Sequence, residues 1–112
     1  MTRTLGELLQ THYGLKTSYR INPEVAQVET TVTKVLSYNP NRLGLVIVNN
    51  GTANVFLSPL NTVTVGNGIR LVPAGGSITL KWDTDFELVS SEFFGIADGA
   101  ASAIYIIEIY TL

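Results

Sequence analysis

Four acids cluster just after the single tryptophan, in Asp83-Thr84-Asp85-Phe86-Glu87 and then Glu92. Alternating carboxylates in a loop can converge hard oxygen ligands on calcium. Aligned to a calcium-binding loop begun at Asp83, however, the sixth position holds Leu88 where glycine makes the sharp turn. The twelfth position holds Phe94 where a bidentate glutamate closes the shell. The segment therefore reads as a solvated turn leading into a strand. The same carboxylates could serve as a glycosidase pair, but such enzymes need a substrate groove, usually on a larger scaffold than 112 residues. His12 is the only histidine and there is no cysteine, so a zinc site lacks its donors. No Gly-x-Ser-x-Gly elbow is present, and a triad through His12 would need the N-terminal segment to fold over a sheet. Gly66-Asn67-Gly68 and Pro73-Ala74-Gly75-Gly76 lack the Lys-Ser/Thr of a phosphate loop and read as turns. The expectation is a protein that is not an enzyme, with no catalytic residues, no metal site and no cofactor.

Binding chemistry has more support than catalysis. Trp82, Tyr38 and Phe86 could share one flat face and contact a glycan, although aromatics in strands more often belong to a core. Asn50-Gly51-Thr52 is formally a glycosylation sequon, but its place between two apolar runs marks it as turn chemistry.

The elements that would position such residues are mostly strands. Candidate strands span 28–37, 43–49, 54–58, 62–65, 69–72, 77–82, 86–89, 93–97 and 102–110. Asn50-Gly51 carries a hairpin signal, since both central residues of a type I′ turn need positive φ. Asn67-Gly68, Gly75-Gly76 and Asp98-Gly99 punctuate the later strands. Short strands at this spacing predict an all-β fold, an antiparallel β-sandwich or jelly-roll-like barrel, over residues 27–112. Residues 1–26 differ in texture. Thr4-Leu5-Gly6-Glu7 matches a capping box, Leu5, Leu8, Leu9 and His12 follow at helical spacing, and Gly14 is placed to stop the helix. This predicts a short helix over residues 5–13 and then an extended arm to about residue 25. Such a helix is marginal alone, so Leu5, Leu8, Leu9 and Tyr13 are expected to anchor the arm on a partner.

Composition points to association as well. Only 14% of residues are charged while 46% are hydrophobic, against about 25% charged in a typical soluble domain. The runs Leu43–Val48 and Ala103–Tyr110 are apolar at nearly every position, with Glu108 as the polar interruption of the second. An antiparallel strand with one wet face should alternate. These strands are therefore either covered by the arm or placed at a subunit contact, and Ile104, Ile106 and Tyr110 are the expected interface face of the last one. Arg42 is expected to fix a loop by pairing with a carboxylate. Arg3, Lys16 and Arg20 against Glu7 make the N-terminal segment mildly basic, while the remainder is mildly acidic. The net charge of −2 argues against a nucleic-acid partner, which needs a basic stripe. No apolar run is long enough for a membrane span, and the opening residues lack the apolar run of a signal peptide.

Residues 39–51 read N-P-N-R-L-G-L-V-I-V-N-N-G, followed by V-F-L-S at 55–58, G-I-R-L-V-P-A-G-G-S-I-T-L at 68–80 and G-I-A-D-G-A-A-S-A-I-Y-I-I-E at 95–108. This pattern resembles the small β-sandwich structural proteins of tailed bacteriophage virions, of the head-decoration, head-fibre or tail-associated type. The resemblance covers residues 39–108 and leaves the N-terminal segment outside it. It implies a capsid decoration or minor capsid protein, assembled into virions in the host cytoplasm. The implied partners are other copies of itself, with a trimer favoured, and major capsid or tail proteins. The alternative it implies is a tail- or fibre-associated carbohydrate- or receptor-binding module.

Overall fold

The computed structural model describes residues 4, 5, 7, 8, 11, 14, 16–21 and 27–112. They form nine strands: β1 (Thr17–Ile21), β2 (Gln27–Val28), β3 (Thr33–Leu36), β4 (Arg42–Asn49), β5 (Val55–Ser58), β6 (Ile69–Leu71), β7 (Gly76–Lys81), β8 (Phe93–Ala97) and β9 (Ser102–Thr111). A one-turn helix, α1 (Trp82–Asp85), and a 3-10 turn at Phe86–Ser90 separate β7 from β8. The first sheet has the order β1-β9-β4-β7, with β2 also paired to β9, and the second has the order β3-β8-β5-β6. All the strand pairs are antiparallel. The all-β, antiparallel expectation therefore holds, with two sheets enclosing one core.

Alternation explains which face each strand buries. In the first sheet Leu45 and Ile47 of β4, Leu80 of β7, and Ile104 and Ile106 of β9 point inward. From the second sheet Val35, Leu36, Val55, Leu57, Leu71, Phe93 and Ala97 meet them. Burying a side chain of this size stabilises the fold by about 1.5–3 kcal/mol, so the cluster dominates the favourable terms.

From β2 onward every connection crosses between the sheets except that from β5 to β6. This corrects the hairpin expected at Asn50-Gly51. Strands β4 and β5 are not paired, and neither Asn50 nor Gly51 has positive φ. Glycine is needed at 51 for another reason: a Cβ there would collide with Ser102 Oγ and the Ala103 amide nitrogen. The Asn67-Gly68 signal is displaced too. The turn runs from Thr64 to Asn67, closed by Asn67 N–H donating to the Thr64 carbonyl at 2.9 Å, with Gly66 at φ 89° in the type II position. No strand forms over 62–65, and 86–89 is a 3-10 turn.

The expected arm is part of the sheet from Thr17 to Ile21. Strand β1 pairs with Ile107–Thr111 of β9, and β2 pairs with Ser102–Ala103 of the same strand. Together they cover an edge that would otherwise offer free backbone groups to another chain. The boundary drawn at residue 26 thus separates two strands that share one neighbour. The helix expected over 5–13 is not established. Thr4 Oγ1 accepts from the Glu7 amide at 3.2 Å and the Thr4 carbonyl from Leu8 N–H at 3.0 Å, as the capping pattern requires. Leu9, His12 and Tyr13, however, lie outside the described residues. Leu5 and Leu8 are exposed.

Candidate functional site

Two polar clusters hold the ends of the sandwich, and one of them shapes a surface cleft. Glu108 is fully buried on β9 and Arg42 is 2% exposed at the start of β4. Arg42 Nε donates to Glu108 Oε2 at 2.8 Å. Its Nη1 donates to the Val89 and Ser91 carbonyls, both at 3.1 Å, and its Nη2 to the Ser37 carbonyl at 2.8 Å. One guanidinium thus fastens two chain segments, at Ser37 and at Val89–Ser91, to the buried carboxylate, so the loop-fixing role expected of Arg42 is borne out, with Glu108 as its partner. Arg20 of β1 donates from Nε to Glu108 Oε1 at 3.2 Å and lies 5.5 Å from the centroid of the Tyr110 ring. Half-exposed Arg20 has water as an alternative partner, and an ion pair of this kind contributes about 0–1 kcal/mol.

The register of β9 sets the outer surface of the first sheet. Because Glu108 faces inward, so do Ile104 and Ile106, which are 8% and 1% exposed. They belong to the core, and the interface face expected of them is corrected by one residue. The outward positions of β9 are Tyr105, Ile107 and Ile109, opposite Val48, Val46 and Gly44 of β4. On the other side Tyr19 lies opposite Ile109, and Ile21 opposite Ile107. Apolar rows therefore cross β1, β9 and β4 and end at Ser77, Thr79 and Lys81 on β7. Tyr19, Ile21, Tyr105 and Ile109 are all exposed. Tyr110, the third residue expected at an interface, is half-buried beside Arg20.

A second feature borders this face. Lys81 N–H donates to Asp85 Oδ2 at 2.8 Å and Thr84 Oγ1 to the same oxygen at 3.2 Å, holding the turn that follows β7. Phe86 N–H then donates to the Trp82 carbonyl, and Phe86 adopts φ 53°, ψ −129°. Trp82 is 51% exposed and Phe86 73%. They line a shallow cleft of about 330 Å³ with Pro40, Leu43 and Glu87. A second cleft, of about 340 Å³, lies on the other side of Trp82 and includes Leu43, Asp83 and Ile109. Trp82 and Phe86 are therefore brought together as expected of a glycan contact; Tyr38 is exposed but does not line either cleft.

Among the described residues no three His, Asp or Glu side chains are grouped to hold a metal ion. Asp85 is engaged as a turn acceptor. No helix among them is long and apolar enough to cross a membrane. The outer face of the first sheet and the two clefts at Trp82 are surfaces open to contact. Comparison with known proteins finds no matching family model, no matching curated protein and no matching solved structure.

Proposed function

We propose that this chain is a non-enzymatic structural protein of a tailed-bacteriophage virion, a decoration or minor capsid protein that stabilises the particle by associating with its own copies and with the shell. The observation that carries the association is the apolar outer face of β1, β9 and β4. Large contiguous apolar patches with a polar border mark contact sites, and aromatic residues such as Tyr19 and Tyr105 are enriched in such contacts. Covering them in a symmetric oligomer, with a trimer as the favoured form, removes apolar surface from water at about 25 cal/mol per Å². The virion setting rests on the residue pattern over 39–108. A jelly roll is the finer reading of the fold, supported by eight strand positions wound between two sheets, with β1 and β2 sharing the first.

Light scattering of the purified protein tests this reading. The expected result is a defined oligomer that Ile107→Lys and Ile109→Lys convert to a folded monomer, at least tenfold weaker in self-association. Both positions are outside the core, so circular dichroism and the urea midpoint should change little. A wild-type protein that stays monomeric, or an oligomer indifferent to both lysines, would remove the support. Attachment of the same variants to particles lacking the protein then separates shell contact from self-association.

A further inference from the structure

The clefts around Trp82 border the association face, with Ile109 common to that face and to the second cleft, and their geometry points to a ligand. Phe86 combines two unfavourable features. It holds a large aromatic ring in water, and its φ of 53° with ψ of −129° lies where residues with a Cβ are strained. Glycine would carry that turn with less strain. A phenylalanine there adds nothing to the core, so its ring has value at the surface. The turn is also held firmly: the carbonyls of Val89 and Ser91 are bound by buried Arg42, and the Glu87 carbonyl accepts from Ser90 Oγ at 2.8 Å. The aromatic cleft is thus mounted on the buried ion pair that joins β4 to β9.

We propose that Trp82 and Phe86 form the stacking platform of a binding site for a short, uncharged oligosaccharide that runs across Trp82 from one cleft into the other. The shape suits a flat ligand, because both clefts are shallow. The chemistry suits a sugar ring. An aromatic face carries negative potential and attracts the polarised C–H face of a pyranose, while the hydroxyls at the ring edge need acceptors. Each cleft supplies a carboxylate at its border, Glu87 in one and Asp83 in the other. Lys81 offsets Asp83 in the second cleft and buried Arg42 lies behind Glu87 in the first, so neither lobe carries an excess of charge and the site suits a neutral chain. Two lobes of similar size, about 330 and 340 Å³, predict that a disaccharide or longer chain binds better than a monosaccharide.

Trp82 is the only tryptophan, so its fluorescence reports on this site alone. The experiment titrates the intact protein with cello-, malto- and N-acetylchito-oligosaccharides of one to four units, and with sialyllactose. The expected result is a saturable emission shift with at least one neutral series, about tenfold tighter for the trimer than for the monosaccharide, and none with sialyllactose. Phe86→Gly should lose about tenfold or more in affinity while its urea midpoint stays level or rises, because the strain is relieved. Asp83→Asn should weaken binding without altering stability. No shift with any neutral sugar in the folded protein would overturn the proposal. So would a sugar response seen in the wild-type oligomer and absent from the folded Ile107→Lys monomer, which would assign the cleft to a protein contact. The titration is therefore repeated on Ile107→Lys, a position that lines neither cleft, so that sugar binding and association through β9, read by light scattering, fail separately.

Discussion

Glu108→Gln and Glu108→Ala should each lower the unfolding free energy by about 3–5 kcal/mol, the largest loss expected from any single side chain. The native carboxylate is fully buried and faces an arginine of which 1% of the side chain is exposed. Removing it leaves a guanidinium whose remaining partners are carbonyls of Ser37, Val89 and Ser91. Carbonyl dipoles cannot replace a full counter-charge, and the guanidinium is almost wholly withdrawn from solvent. Against a typical domain stability of about 5–15 kcal/mol, the loss is a large fraction of the total. Urea unfolding checks it. Arg20→Ala serves as the control and should cost under about 1 kcal/mol, since that pair is half in solvent. The double variant Arg42→Met with Glu108→Leu should be less damaged than Glu108→Ala, because it buries no orphan charge. It should nevertheless blunt the Trp82 emission response to sugar, because the Val89 and Ser91 carbonyls lose their tether. A Glu108→Gln protein within about 1 kcal/mol of wild type would refute the role assigned to the pair.

Asn49→Ala should cost about 2–4 kcal/mol, for a different reason. Asn49 is fully buried at the end of β4 and satisfies four partners. Its Nδ2 donates to the Ala53 carbonyl at 2.8 Å and to the Leu71 carbonyl at 2.9 Å. Its Oδ1 accepts from the Gly51 amide at 3.1 Å and from Ser102 Oγ at 2.7 Å. The side chain therefore bonds the β4–β5 crossover to itself, to β6 in the other sheet and to the start of β9. Alanine would orphan the Leu71 carbonyl and the Gly51 amide, while Ser102 Oγ keeps its bond to the Ala53 carbonyl at 3.2 Å. Asn49→Asp should be no better, because aspartate has no donor for the two carbonyls. Gly51→Ala acts on the same corner by pushing against Ser102 and the Ala103 backbone, and should be destabilising despite the ordinary φ of residue 51. Denaturant midpoints and amide exchange at residues 49–54 and 102–104 would report both. If Asn49→Ala left exchange at that corner unchanged, the crossover would be held by something else.

These two clusters also explain what could be read early and what could not. Strand runs such as Leu43–Val48 and Phe93–Ala97 are visible because β-branched and aromatic residues fill them and turn residues bound them. Phe-Glu-Leu-Val at 86–89 has the letters of a strand, while the hydrogen bonds of Asp85 and Phe86 wind the chain into consecutive turns. Asn50-Gly51 has the letters of a hairpin, yet positive φ is not used there. The crossover is imposed by the buried Asn49 side chain, whose partners lie as far away as Leu71 and Ser102.

The interface residues show the same division more sharply. Apolar content alone identified β9 as a strand with two apolar faces. It could not say which face was which, because Ile104, Tyr105, Ile106 and Ile107 are all hydrophobic, and a parity error of one residue exchanges the core for the surface. Ile104, Ile106 and Glu108 share one parity, and a charged side chain ordinarily faces water, so their burial runs against the residue types alone. The buried Arg42–Glu108 pair fixes the parity and turns Tyr105, Ile107 and Ile109 outward.

By itself, then, the order of residues established the all-β class, most strand positions, the cluster of aromatics after β7 and the excess of apolar surface, because these follow from local composition and periods of two. Only the tertiary structure decided the parity of β9, the pairing of β1 with it and the cross-sheet connections. Each of those depends on groups far apart in the chain, above all a carboxylate at 108 and a guanidinium at 42, whose burial is favourable only when they meet.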